Sequence, residues 1–450
     1  MMTTDAPAAA TAISAGDTAW LMVSTAFVLL MIPGLALFYS GLVRVRAALN
    51  TVMMSFAALA LVGVQWVLFG YSLAFAPGRA VGGLAWAGLH GVSVLPGPYS
   101  ATVPHIAFAA FQAMFAGITV ALISGAMVER IRFSIYLAFA LLWTTLVYDP
   151  LAHWVWASDG WLHTLGALDF AGGTVVHISA GTAALVAAVM LGRRGDLGRT
   201  PLLPHNVPFT LLGAGLLWVG WIGFNAGSSL AADGVAANAL VTTHAAAAAA
   251  LLTWLALDIR VTGQATAVGG ATGAVVGLVA ITPAAGYVTP LAALAIGALG
   301  ACASFAAIRF RSRTRIDDAL DVFACHGVAG IVGALLTGVF ATKAVNAAGA
   351  DGLFAGNPRQ LLTQAIAVVA TIAFTAPVTA LVLAALRTVG SLRVPLPGEL
   401  TGVDLAEHGE HAYHDGDTAD IPGGRTRLSE GVILASTTVP PEWEVKKDAA

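Results

Sequence analysis

The chain has 450 residues, 58% hydrophobic and only 10% charged, with a mean hydropathy of +0.82. A soluble domain carries about 25% charged residues, so composition excludes a soluble protein and indicates an integral membrane protein. The formal net charge of −3 gives no reason to expect a nucleic-acid partner.

The leader TTDAPAAATAISAGD is acidic and lacks the positively charged start of a secretory signal, so no cleaved peptide is expected. Eleven apolar stretches long enough to span a bilayer follow, at about 18–43, 50–76, 105–128, 133–156, 170–191, 206–230, 235–257, 266–282, 289–308, 318–340 and 360–388. The eighth is short and rich in glycine. The fold class expected is therefore all-α, with eleven transmembrane helices. One set of loops and helix ends carries Arg44, Arg46, Arg130, Arg132, Arg193, Arg194, Arg199, Arg260, Arg309, Arg311, Arg313 and Arg315; the alternate set carries only Arg79, Lys343 and Arg359. This bias puts the carboxyl terminus in the cytoplasm and the amino terminus outside, in a multi-pass protein of the plasma or inner membrane.

The loop from Pro77 to Pro104 is rich in Gly and Pro and is expected to be irregular. Near residue 391 the composition changes, with VDLAEHGEHAYHDGD and then a polar end containing Pro440, Pro441, Lys446 and Lys447. We read residues 1–390 as the membrane domain and 391–450 as a cytoplasmic regulatory tail with a disordered end. The two cysteines, Cys302 and Cys325, lie in apolar segments and suggest neither a disulfide framework nor a metal site. No metal and no cofactor is expected.

The fifth segment reads ALDFAGGTVVHIS and the tenth contains DDALDVFACHGVAG. Asp169 precedes His177 by eight residues, and Asp318 precedes His326 by eight. Eight helical residues span about 12 Å, which places each histidine near the middle of a hydrocarbon core about 30 Å thick. Such a histidine is costly and marks a functional position by default. The tenth segment stands five places after the fifth, an odd step, so the two enter from opposite faces and bring the histidines to similar depth. That is the pattern of two inverted five-helix repeats meeting at a midplane site. A helix–helix hydrogen bond is the bland alternative for either histidine alone. Asp169 sits where an N-cap belongs and is read as a cap that also shapes the field. Asp317, Asp318 and Asp321 lie beside four arginines and are expected to form ion pairs.

Three aromatic clusters stand where a pathway mouth belongs: FQAMF with Phe111 and Phe115, HWVWASDGW with Trp154, Trp156 and Trp161, and WIGFNAGSS with Trp221, Phe224 and Ser228. Tryptophans at membrane interfaces are commonly belt residues, but a ring face and a hydroxyl together suit a small cation that loses its water. Two facing histidines also suit haem ligation. No nucleophile–base pair or metal-ligand set appears, so an enzyme is not expected.

Through DFAGGTVVHISAG, GAMVERIRF, WIGFNAGSSLAADGVAANALVTTH, GLVAITPAAGYVTP and DVFACHGVAGIVGALLTGVF, the chain resembles the ammonium transporter (Amt/Rh/Mep) family. The resemblance runs over essentially all eleven segments and sets the haem reading aside. It implies a homotrimer with one pore per subunit, built as an inverted five-plus-five repeat with an extra peripheral helix. It implies that Phe115, Trp156 and Ser228 form an outer ammonium site, with Asp169 beneath it. It further implies a constriction of Phe111 and Phe224 below that site, twin pore histidines His177 and His326, and lining positions at Trp221 and Thr282. The tail stretch LTGVDLAEHGEHAYHDG resembles the family's own and suggests a PII-type nitrogen-regulatory partner at the cytoplasmic face. Cys325 and Ala329 depart from the Val and Gly more usual beside the second histidine.

The mechanism this implies is capture of NH4+, its deprotonation at the phenylalanines, and passage of NH3 along a neutral, mutually hydrogen-bonded histidine pair. A proton relayed separately makes the cycle electrogenic, which is the favoured reading. A proton left outside makes the protein a neutral NH3 channel. A sensor that reports ammonium through its tail is the alternative from another class.

Overall fold

The computed structural model describes residues 13–199 and 202–413, so the expected disordered end of the tail lies outside the described residues. Apolar residues without long polar interruptions give helices α1 (Ala15–Leu42), α2 (Val45–Phe75), α3 (His105–Ala126), α4 (Phe133–Leu165), α5 (Gly173–Leu191), α6 (Val207–Gly227), α7 (Gly234–Thr262), α8 (Ala267–Ile281), α9 (Pro290–Arg311), α10 (Phe323–Phe340) and α11 (Pro358–Val389). Ten are long and apolar enough to cross a membrane. The exception is α8, whose 15 residues reach only about 22 Å. Pro283 stops it by removing a backbone donor, and the chain continues as buried hydrogen-bonded turns, Ala284 N–H to the Ile281 carbonyl and Tyr287 N–H to the Ala284 carbonyl. Lone side-chain caps start several helices, including Ser14, Asp233, Thr266 and Thr289.

The loop after α2 is more ordered than its composition suggests. It forms a small antiparallel hairpin of β1 (Pro96–Gly97) and β2 (Ser100–Pro104), with Gly97 opposite Ser100. The Thr102 carbonyl accepts the Ser14 N–H at 2.9 Å, tying β2 to the start of α1. We call this side of the molecule the hairpin face and the opposite side the arginine face.

The halves α1–α5 and α6–α10 meet through corresponding helices. The first helices of the two halves, α1 and α6, pack along each other, and α5 and α10 cross. At that crossing a Cβ on Gly181 would lie 2.2 Å from the Gly327 nitrogen, and one on Gly330 would lie 3.0 Å from Ile178 Cγ1. Gly181 and Gly330 each stand four residues after a histidine, and Ile178 and Gly327 one after, so the contact is reciprocal as an inverted repeat requires. Helix α11 is the added helix, packed on α4, α5 and α10.

The arginine face is a network of paired charges. The Arg44 guanidinium donates to Glu129 at 2.6 Å and also to Asp196; Arg194 donates to Glu129 at 3.1 Å and to Asp317 at 2.8 Å. Burial alone would raise the Glu129 and Asp317 carboxyls, but hydrogen bonds and charge from Arg44 and Arg194 outweigh it and hold both below the usual carboxylate range. Arg311 pairs with Asp321. Asp318, expected among the ion pairs, makes none among the described residues; it accepts the Phe323 N–H at 2.8 Å instead. It is the inverted counterpart of the Asp169 cap, and its place before the first turn of α10 decides its partner.

Two short helices, α12 (Leu396–Thr401) and α13 (Val403–His408), follow α11 on this face. Asp404 accepts the backbone N–H groups of Leu49 and Asn50 at 3.0 and 2.7 Å, and Glu407 accepts that of Phe133 at 2.8 Å. Two acidic side chains of the tail thereby cap α2 and α4 near their first turns, where helix dipoles favour negative charge.

Candidate functional site

Both histidines sit in π-helical turns, His177 in Gly173–Ile178 and His326 in Phe323–Val328. Such turns widen a helix locally and recur at functional positions. Here they bring the Nδ1 atoms of His177 and His326 to 3.3 Å, with ring centroids 5.3 Å apart and planes 27° from parallel. Two neutral imidazoles at this distance share one proton between the Nδ1 atoms, so they hold complementary tautomers. His177 also stacks on Trp221, centroids 5.4 Å apart and 21° from parallel. The Trp221 Nε1–H donates to Thr282 Oγ1 at 2.8 Å, and that hydroxyl donates to the Leu278 carbonyl at 2.8 Å. Trp221 lines a narrow slit together with both histidines. Thr282, expected as a lining residue, stands behind it as its anchor, because its hydroxyl is committed to the indole and to its own helix.

Three cavities follow one another through these residues. On the hairpin face a basin of about 330 Å³ is lined by Phe115, Trp156, Ser228 and Gln112, among others. A slit of about 10 Å³, bounded by His177, Trp221, Phe224 and His326, has room for about one water-sized molecule. On the arginine face a basin of about 360 Å³ shares His326 and Tyr39 with the slit and includes Cys325. Apolar residues such as Leu35, Ile118, Leu217 and Val275 complete the wall of the slit.

A phenylalanine stack closes the hairpin side of the slit. Phe115 and Phe224 lie face to face with centroids 4.1 Å apart and planes 20° from parallel. The expected constriction of Phe111 with Phe224 gives way to this pair. The reason is chain direction: α3 starts on the hairpin side at His105, so Phe111 precedes Phe115 and cannot lie below it. Phe111 is fully buried, edge-on to Phe115 at 4.9 Å and close to Gly227 of α6. Phe115 thus both borders the basin, edge-on to Trp156 at 5.9 Å, and forms the lid.

Trp156 is held by a hydrogen bond from its Nε1 to the Asp169 carbonyl at 3.0 Å. Trp154 and Trp161 pack on each other, 5.6 Å apart, and do not border that basin. The Ser228 hydroxyl donates to the Phe224 carbonyl at 2.9 Å, which leaves its lone pairs free. The Asp169 carboxylate accepts from the backbone of Gly172, Gly173 and Thr174 at 2.9, 2.5 and 2.8 Å and from the Thr174 hydroxyl. Gly172 has φ +109°, a conformation L side chains rarely adopt, and it lets the chain wrap this carboxylate. Asp169 is therefore a cap, and its backbone carbonyl holds Trp156 in place. It borders a second polar basin on the hairpin face, about 480 Å³, with Ser229, Asp233 and Asn346. Sequence reasoning passed over Gln112, inside the FQAMF motif itself, because Trp156 and Ser228, which share its basin, come from other helices.

The sequence profile of the Ammonium Transporter Family matches residues 19–413. An ammonium transporter of Bacillus subtilis is 49% identical over 402 residues, 89% of this chain and 99% of that protein. One of Aquifex aeolicus is 48% identical over 407 residues, 89% and 93% of the two chains. Among solved structures, Mep2 of Saccharomyces cerevisiae superposes with a TM-score of 0.78 at 37% identity, covering 83% of this chain and 85% of that one. A structure described as a sensor Amt protein superposes at 0.81 with 29% identity, covering 87% and 98%.

Proposed function

The chain belongs to the ammonium transporter family and is an ammonium transporter; from that premise we propose that it takes up NH4+ at the hairpin face and conducts NH3 past its twin histidines. The basin walls receive the cation: Trp156 and Phe115 offer ring faces and Ser228 a hydroxyl acceptor. Passing the Phe115–Phe224 lid removes the remaining water, and an ion entering a slit of about 10 Å³ meets a steep desolvation cost. Metal cations of similar size cannot reduce that cost. Ammonium does so by giving its proton to water in the hairpin-side basin. NH3 then donates to and accepts from the imidazoles, and the complementary tautomers of His177 and His326 offer a Grotthuss-type path for the proton. Transport is then electrogenic.

The observation that supports this most is the histidine pair in a slit of one-molecule width, closed by rings on one side. The arginine asymmetry supports a cell-membrane protein whose hairpin face is outside and whose arginine face is cytoplasmic. Assembly as a homotrimer, and docking of a PII-type regulator at the arginine face, belong to the same reading.

The test is the current evoked by an ammonium pulse on proteoliposomes of purified protein, with K+ as control. A transient with ammonium and none with K+ is expected. Internal alkalinisation without current would replace this reading with that of a neutral NH3 channel.

A further inference from the structure

The ammonium ion has four N–H donors, and beside Phe115 and Trp156 the hairpin-side basin offers the Ser228 hydroxyl, with Ser158 and Tyr99 also on its wall. The Asp169 carboxylate is taken up by its own helix turn, and the Trp156 N–H is a donor bonded elsewhere. We propose that Gln112 is a further ammonium-binding residue, its side-chain carbonyl accepting an N–H of the captured cation beside Phe115 and Trp156. The proposal rests on the transport reading above.

Two observations carry it. The first is placement. Phe108, Gln112 and Phe115 follow one another at helical spacing on α3 and all border the basin that Trp156 and Ser228 close from other elements. The second is an uncommitted amide. Gln112 is about nine-tenths buried, and its Oε1 lies behind the basin surface, a solvent-shielded acceptor with no donor among the described residues. An unpaired buried carbonyl is costly, and such an atom calls for an explanation. A half-turn about Cγ–Cδ exchanges the oxygen and the NH2 with almost no change of shape. A cation in the basin favours the oxygen inward. The arrangement then offers two oxygens and two ring faces to four N–H groups.

The experiment measures ammonium-evoked current against concentration in proteoliposomes for the wild type, Gln112→Leu and Gln112→Glu. A hydrogen bond to a charged group is worth about 1.5–3 kcal/mol, so Gln112→Leu is expected to raise the half-saturating ammonium concentration at least ten-fold while the maximal current stays within two-fold. Gln112→Glu, which places a charge where the carbonyl was, is expected to lower it and to make K+ a competitor. If Gln112→Leu does not fold, the glutamate variant decides alone. An unchanged half-saturation in the folded leucine variant, or an unchanged or raised one in the glutamate variant, overturns the proposal. Absence of current from the wild type would instead overturn the transport reading.

Discussion

The two halves of this molecule carry the same elements, an aspartate, a π-turn and a histidine, yet they end differently. In the first half the Asp169 carboxylate is saturated by donors, and His177 lies beneath stacked rings with its Nε2 buried and unpartnered. In the second, Asp318 accepts from the Phe323 backbone and keeps an unpartnered Oδ1, and His326 borders a basin of about 360 Å³. Symmetry therefore set the histidines face to face, and what packs around them made one side a closed lid and the other an open basin. The desolvating step of the proposed mechanism falls on the lidded side.

The largest effect expected is at the crossing itself. In Gly181→Val a Cβ would lie 2.2 Å from a backbone nitrogen, whereas Gly63 has nothing within 4 Å of its Cβ position. Gly181→Val should abolish recovery of folded protein from detergent, and Gly63→Val should leave size-exclusion profile and transport intact.

The lid distinguishes the halves next. Phe224→Ala opens the hairpin side, and a K+-evoked current absent from the wild type should appear. Cys325→Ala on the open side should leave ion selectivity unchanged. If Phe224→Ala stays closed to K+, the lid is not what excludes ions.

The capping aspartates come third. Asp169→Asn weakens several charge-assisted bonds at once and should destabilise the protein by about 1.5–3 kcal/mol, while Asp318→Asn should cost about 1 kcal/mol or less. Thermal unfolding in detergent compares them, and equal losses would remove the asymmetry claimed here.

The smallest effects concern pH at the arginine face, and their signs oppose. Glu129 and Asp317 have lowered values, so the stability they contribute is present above the unfolded carboxylate range and is lost as pH falls through their folded values. Asp321 is pushed up to about 6 by burial, which Arg311 only partly offsets. Its contribution is full below the unfolded carboxylate range and is lost as pH rises through about 6. Melting temperatures from pH 7 down to pH 4 should show Glu129→Gln flattening the acid-side loss, and Asp321→Asn removing a small component of the opposite sign.

Much was legible in the sequence because the bilayer constrains it. A run of about 20 apolar residues has few alternatives to a spanning helix, since every backbone group in lipid needs an internal partner. Arginine asymmetry and the eight-residue spacings are likewise one-dimensional signals, and they located the segments, the halves and both histidines. The tertiary structure alone decided which neighbours those residues meet. It paired Phe115 with Phe224, placed Thr282 behind Trp221, turned Asp318 from ion pairing to capping, ordered a hairpin in a Gly- and Pro-rich loop, and set Gln112 in the basin wall. Each of these depends on contacts between segments far apart in sequence, where depth, helix rotation and the width of a π-turn select partners that residue type and spacing leave open.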